Sequence, residues 1–203
     1  LRKGLINLER HILNIKKFGL QPIVAINHFA LDTKKEIKII LNFCRDMKVE
    51  VSECKHWAKG GNGTKDLAKK VVKACKSKKK FDFLYKDNLK LFDKINLISK
   101  EIYKASKVTA NSEVLKQLED FENNGYGHLP VCIAKTQYSF STDPKLKGAP
   151  SNHEISIREV KLSSGAEFIV AICGSIMTMP GLPKIPAADN IRLNKNSEIE
   201  GLF

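Results

Sequence analysis

Residues 22–27 read PIVAIN and residues 49–53 read VEVSE, and what lies between and around these two short runs decides the fold class. IVAI lacks polar alternation, which suits a strand buried on both faces of a sheet. Between the runs, Thr33 and Glu36 make a capping-box pair ahead of Ile37, Ile40, Leu41 and Cys44 at helical spacing. Upstream, Leu5, Leu8, Ile12, Ile15 and Phe18 predict a helix, with Gly19 placed to end it in left-handed backbone. Downstream, the glycine-rich CKHWAKGGNG (54–63) leads into TKDLAKKVVKAC (64–75), where Leu67, Val71, Val72 and Cys75 resume the helical period. Helix, strand, helix, strand, helix is the rhythm of a parallel sheet with crossover helices. In such sheets ligands gather at the carboxyl ends of the strands, so the loops after IVAI and VEVSE are the first places to look for a site.

Beyond a lysine run the texture changes. FDFLYK (81–86) reads as extended, LKLFDKINLISKEIYK (89–104) as a helix, and a further helix runs from about residue 112 to 124 and stops at Gly125. PVCIA (130–134) is a strand. ISIREVKL (155–162) and EFIVAIC (167–173) form a hairpin across SSG, and IRL with EIEGLF brackets NKNS at the end. Two long loops, 135–153 and 174–190, have no periodicity. The second holds three prolines, and Gly181 among them predicts a forced turn. The expectation is a three-layer α/β protein, parallel in its first half and antiparallel toward the C-terminus. Its predicted lobes are 1–76 and 81–203, packed as one domain.

With 42% hydrophobic residues, the 203-residue chain can bury a real core. No apolar run approaches the length of about 18 residues that a membrane helix requires, so no membrane association is expected. The chain starts Leu-Arg-Lys-Gly, without Met or a secretory pattern, and reads as a piece of something longer. Five scattered cysteines without a C-x-x-C pair fit a reducing cytoplasm and no zinc site, with Cys44, Cys132 and Cys173 read as small core residues. None of the five histidines has a metal-ligand spacing. A formal charge of +13 attracts anions. Much of it sits in the run from Lys69 to Lys80, which lacks the interleaved aromatic and Arg residues of a single-strand binder and reads as a water-facing helix end. Nucleic acid is therefore not the expected partner.

No G-x-x-x-x-G-K-[ST] signature occurs, so no lysine is preset in a backbone cradle for nucleotide phosphates. KGGNGT (59–64) opens a helix and could receive an anion on free amides, though glycines before helices commonly serve ordinary turns.

Taken together, GLINLERHILNIKKFG (4–19), VAINHFALDT (24–33), HWAKGGNG (56–63), GYGHLPVCIAKTQYSFSTDPKLKGAP (125–150), IMTMPGLPKIPAADNI (176–191) and the terminal GLF resemble formate tetrahydrofolate ligase along essentially the whole chain. The resemblance implies P-loop-NTPase-like parentage. It also implies a ligase that uses ATP with Mg to make formyl phosphate, which the N10 of tetrahydrofolate then attacks. The segment with the phosphate cradle and catalytic lysine would precede this chain, which is therefore expected to be inactive alone. Homotetramers are a further implication. Phe29 and Trp57, the only tryptophan, match the family aromatics that sandwich the pterin ring. Asn27 holds the place of a base-reading asparagine for adenine, and Lys59 could neutralise phosphate or the folate's acidic tail; surface solvation is the ordinary reading of such a lysine. Asp32 and Thr33 are sufficiently explained as a helix cap. His28 stands where the family usually has Arg, Ala30 replaces a proline, and Lys55 and His56 replace an acidic and an apolar residue, which alters the fine ligand geometry. The rival class is a basic binding module that keeps the fold and takes folate, nucleotide or RNA through its lysines.

Overall fold

The computed structural model describes residues 1–76, 80–177, 181 and 183–202. Helix α1 (Leu5–Lys16) precedes strand β1 (Ile23–Asn27), and α2 (Lys34–Asp46) crosses to β2 (Glu50–Cys54). A single-turn helix α3 (His56–Lys59) and a 3-10 turn at Gly60–Thr64 lead into α4 (Lys65–Cys75). Gly19 does adopt left-handed backbone, with φ +73°. The capping box is present: the Glu36 amide donates to Thr33 Oγ1 at 3.2 Å, while the Thr33 amide donates to Glu36 Oε2 at 3.0 Å.

The predicted parallel rhythm is correct, since β1 and β2 pair parallel with Val24 opposite Val51. The pair is a separate two-stranded sheet, however, and β1 is not buried on both faces: Ile26 is enclosed, whereas Ala25 and Asn27 are exposed. Helix α4, which packs against it, is shallowly seated as well. Its Val71, Val72 and Cys75 face solvent although they fall on the apolar spacing, and so does Ile15 on α1. Cys132 is exposed too, and Cys54, not singled out from sequence, is buried with Cys44 and Cys173.

The main core lies in the second half. After α5 (Leu91–Glu101) come β3 (Lys107–Ala110), α6 (Ser112–Phe121), β4 (Val131–Ala134), β5 (Glu154–Ser163) and β6 (Phe168–Cys173). They form a four-stranded sheet in the order β3-β5-β6-β4. The β5–β6 hairpin is antiparallel, as expected, with a register shift between Ile157 and Glu159. Its two flanking strands pair parallel, β3 with β5 and β4 with β6, so parallel pairing continues past the first half. Strand β3 was not anticipated, and residues 81–86 form no strand. Ile155, Val160, Ile169 and Ala171 pack against Leu91, Ile95, Val114 and Leu118 in one buried cluster. Removing this apolar area from water at about 25 cal/mol per Å² is what orders the sheet.

Lys94 is fully enclosed in this half, and its ammonium donates to the carbonyls of Gly127 and Leu129 at 2.8 and 3.0 Å. Gly125, with φ +86°, interrupts the helical run after α6. The C-terminal pair β7 (Arg192–Leu193) and β8 (Ile199–Glu200) is antiparallel and exposed. Among the described residues nothing lies within 4 Å of where a Cβ on Gly181 would sit, and its neighbours 178–180 and 182 lie outside the described residues, as does Phe203. Among the described residues no helix is long and apolar enough to cross a membrane.

Candidate functional site

In parallel β1 and β2, Asn27 lies opposite Cys54, so both chains leave the small sheet at the same end. The His28 amide extends the ladder by donating to the Cys54 carbonyl at 2.9 Å. Glu53 then ties the two departing loops together. Its Oε1 accepts from the Lys55 ammonium at 3.0 Å and sits 2.6 Å from His28 Nδ1. These partners hold the Glu53 carboxyl below its ordinary pKa, Lys55 most strongly and His28 further, together outweighing the opposing effect of burial.

Each loop carries one large exposed ring. In the first, the Phe29 amide donates to Asp32 Oδ2 at 2.8 Å and the Asp32 amide donates to the Phe29 carbonyl at 3.0 Å, closing a turn without the proline that Ala30 replaces. In the second, Gly63 passes against the strand end, where the Lys55 amide donates to its carbonyl at 3.1 Å. A Cβ at Gly63 would come within 2.4 Å of the Lys55 backbone, so this glycine is required by close approach. That contact anchors the turn on which α3 presents Trp57.

The rings of Phe29 and Trp57 meet with centroids 5.9 Å apart and planes at 40°. Phe29 is 49% exposed and Trp57 71%. Exposed aromatics in mutual contact at strand carboxyl ends are a poor way to build a core and a good way to receive a flat apolar group. A planar guest held in contact on both faces needs rings about 7 Å apart and nearly parallel. The pair must therefore open by about 1 Å and rotate to sandwich one.

Asn27 is exposed at the last position of β1. Lys59 ends α3, exposed and without an ion pair among the described residues. The glycine-rich turn does open α4, but Asp66 fills that helix's first turn, accepting from Ser52 Oγ and Lys70 Nζ, each at 2.7 Å. A carboxylate there already satisfies the positive end of the helix and weakens the case for a second anion on it. No group of three or more His, Cys, Asp or Glu that could hold a metal occurs among the described residues.

Sequence reasoning missed Glu53. Its neighbours His28 and Lys55 stood out as unusual, but a carboxylate one residue before the end of a strand carries no signal until the parallel partner is known.

The whole chain, residues 1–203, matches the family described as formate–tetrahydrofolate ligase. The chain belongs to that family. It is 60% identical over 204 residues to formate–tetrahydrofolate ligase of Pelagibacter ubique. It is 54% identical over 205 residues to that of Methylorubrum populi, and 54% over 204 to that of Sinorhizobium fredii. Each alignment takes in all of this chain but only 36%, 37% and 36% of the respective relative. The chain thus spans little more than a third of the length of these formate–tetrahydrofolate ligases.

Proposed function

We propose that this chain supplies the folate clamp and part of the adenine pocket of an ATP-dependent formate–tetrahydrofolate ligase. The reaction converts ATP, formate and tetrahydrofolate to ADP, phosphate and 10-formyltetrahydrofolate. In this reading Phe29 and Trp57 part to hold the pterin between them, fixing the plane of the folate and hence the approach of N10 to the activated formyl carbon. Asn27, beside them at the strand end, offers an amide that both donates and accepts, the pattern that reads adenine. Lys59 contributes positive charge for the nucleotide phosphates or the folate's acidic tail.

The single observation that carries the reading is the meeting of two solvent-exposed aromatic rings, from loops leaving adjacent parallel strands, at 5.9 Å. Formation of formyl phosphate needs a cradle that positions the terminal phosphoryl group and its Mg ion, and no P-loop motif is present in these residues. We assign that step to a P-loop portion outside this sequence, within a cytoplasmic and homotetrameric enzyme. Lobes 1–76 and 81–203 serve in this scheme as the site-bearing and supporting parts.

Trp57 fluorescence tests the clamp directly. Tetrahydrofolate is expected to quench it saturably, and Phe29→Ala to weaken that binding by about tenfold, the equivalent of about 1.4 kcal/mol for losing one stacked face. Unchanged emission at saturating folate would refute the clamp. The charge of +13 favours one rival, a basic module that binds RNA through its lysines. RNA binding that falls steeply with salt, together with no folate response, would select it.

A further inference from the structure

The four-stranded sheet brings a second cluster together at one end. Because β4 and β6 finish where β3 and β5 begin, Lys135, Tyr103 and His153 converge from segments far apart in sequence. Helix α1 closes over them. Arg10 donates to the carbonyls of Tyr103, Ala149 and Pro150 at 3.3–3.4 Å, and the His11 ring lies 4.7 Å from that of Phe140. Between these elements is an open cavity of 280 Å³, lined chiefly by Asn7, His11, Tyr103, Lys135, Thr136 and Gln137.

Its polar groups have an unbalanced chemistry. The Lys135 ammonium sits 4.8 Å from the Tyr103 ring centroid and donates to the carbonyls of Thr136 and Ser139, which leaves one of its three protons free. No carboxylate lines the cavity or pairs with Lys135 among the described residues. The nearby Cys173 thiol cannot supply the missing negative charge, because burial pushes its pKa up to about 11. Both ring nitrogens of His153 are enclosed without a hydrogen bond, and burial, with the Lys135 ammonium adding to it, holds this imidazole below its ordinary pKa against a weaker opposing effect of the Phe140 backbone. His153 lies behind the cavity and not in its lining, so the imbalance rests on Lys135, a partly buried ammonium in the wall with one proton free and no carboxylate to take it.

We propose that this cavity is an oxyanion subsite, which receives the carboxylate or phosphate group of a small acid on the Lys135 ammonium, with Asn7, Thr136 and Gln137 as hydrogen-bonding walls. The two ligand sources share the same chemistry, a compact anion with several acceptor oxygens, and the volume suits such a group or a small organic acid. The assignment goes beyond the folate clamp and does not depend on it.

The test is an amide NMR titration of the chain at constant ionic strength with inorganic phosphate, with formate and with L-glutamate, using chloride as control. Saturable shifts at residues 133–137 with phosphate, with a carboxylate or with both are expected, and the pattern assigns the source. Lys135→Gln should weaken the binding at least tenfold, while Lys161→Gln, on an exposed face of β5, leaves it unchanged. If Lys135→Gln fails to fold by circular dichroism, Gln137→Ala and His11→Ala carry the test, each expected to weaken binding at least threefold. Shifts that never saturate and spread over surface lysines, equal shifts in chloride, or full binding by these variants would overturn the proposal. Clamp residues 27–33 and 55–59 report separately, so the two readings fail independently.

Discussion

Replacing Gly63 by alanine should disturb the ring pair without touching either ring. The added Cβ would lie 2.4 Å from the Lys55 carbonyl carbon, 2.5 Å from its oxygen and 2.7 Å from the His56 nitrogen. Non-bonded carbons settle at about 3.5 Å or more, so the two segments must separate by about 1 Å. All three obstructing atoms are backbone, and no side-chain rotation relieves the clash. Overpacking of this kind costs about 1–3 kcal/mol, and the bond from the Lys55 amide to the Gly63 carbonyl, worth about 1 kcal/mol, is weakened at the same time. The expected loss is therefore about 3 kcal/mol. Because the displaced backbone enters α3, Trp57 moves relative to Phe29, and the emission spectrum of the folded protein should change. Urea unfolding followed by Trp57 emission and far-UV circular dichroism measures both effects. Gly61→Ala is the control, since nothing among the described residues lies within 4 Å of a Cβ there. If Gly63→Ala unfolds within about 0.5 kcal/mol of Gly61→Ala, with the same emission spectrum, the account of the glycine-rich turn is wrong.

Two other perturbations follow from the described contacts. Glu53→Gln removes partners of Lys55 and His28 that are partly open to solvent, so a loss of about 1 kcal/mol near pH 7 is expected. The folded-state pKa of Glu53 is depressed, so its contribution is complete above the ordinary carboxylate pKa of about 4.3 and fades as pH falls through the lower folded value. Wild type and variant should converge in denaturant titrations under acid, and a pH-independent gap would contradict the assignment. Lys94→Met keeps much of the buried volume but strips the Gly127 and Leu129 carbonyls of their donor, and should cost at least about 2 kcal/mol in thermal or urea unfolding; a neutral result would mean those carbonyls find other partners.

Much of the architecture was readable along the chain because it is written in local terms. The capping box at Thr33 and Glu36, the glycine at the end of α1, the β5–β6 hairpin and the parallel rhythm of β1 and β2 each need only a few neighbouring residues to be recognised. Strand β3 escaped notice because KVTA is short and begins with lysine. It is a strand by virtue of pairing with β5, more than forty positions away. Depth of burial escaped in the same way. IVAI looks like a two-faced strand, yet the described sheet ends after two strands and leaves Ala25 and Asn27 open. Apolar spacing tells which face of a helix turns inward but not how far the opposing layer extends, which is why Val71, Val72 and Ile15 remain exposed.

By itself the sequence determined family membership, the α/β class and the two residues proposed for the clamp, since all three rest on residue identity and short-range order. Tertiary structure alone decided that Phe29 and Trp57 meet at 5.9 Å and are tilted, that Glu53 ties their loops, and that Lys135, Tyr103 and His153 share one end of a sheet. The physical reason is that hydrogen-bond register and strand order set distances between segments remote in the chain, and no local pattern of hydrophobicity or propensity encodes them.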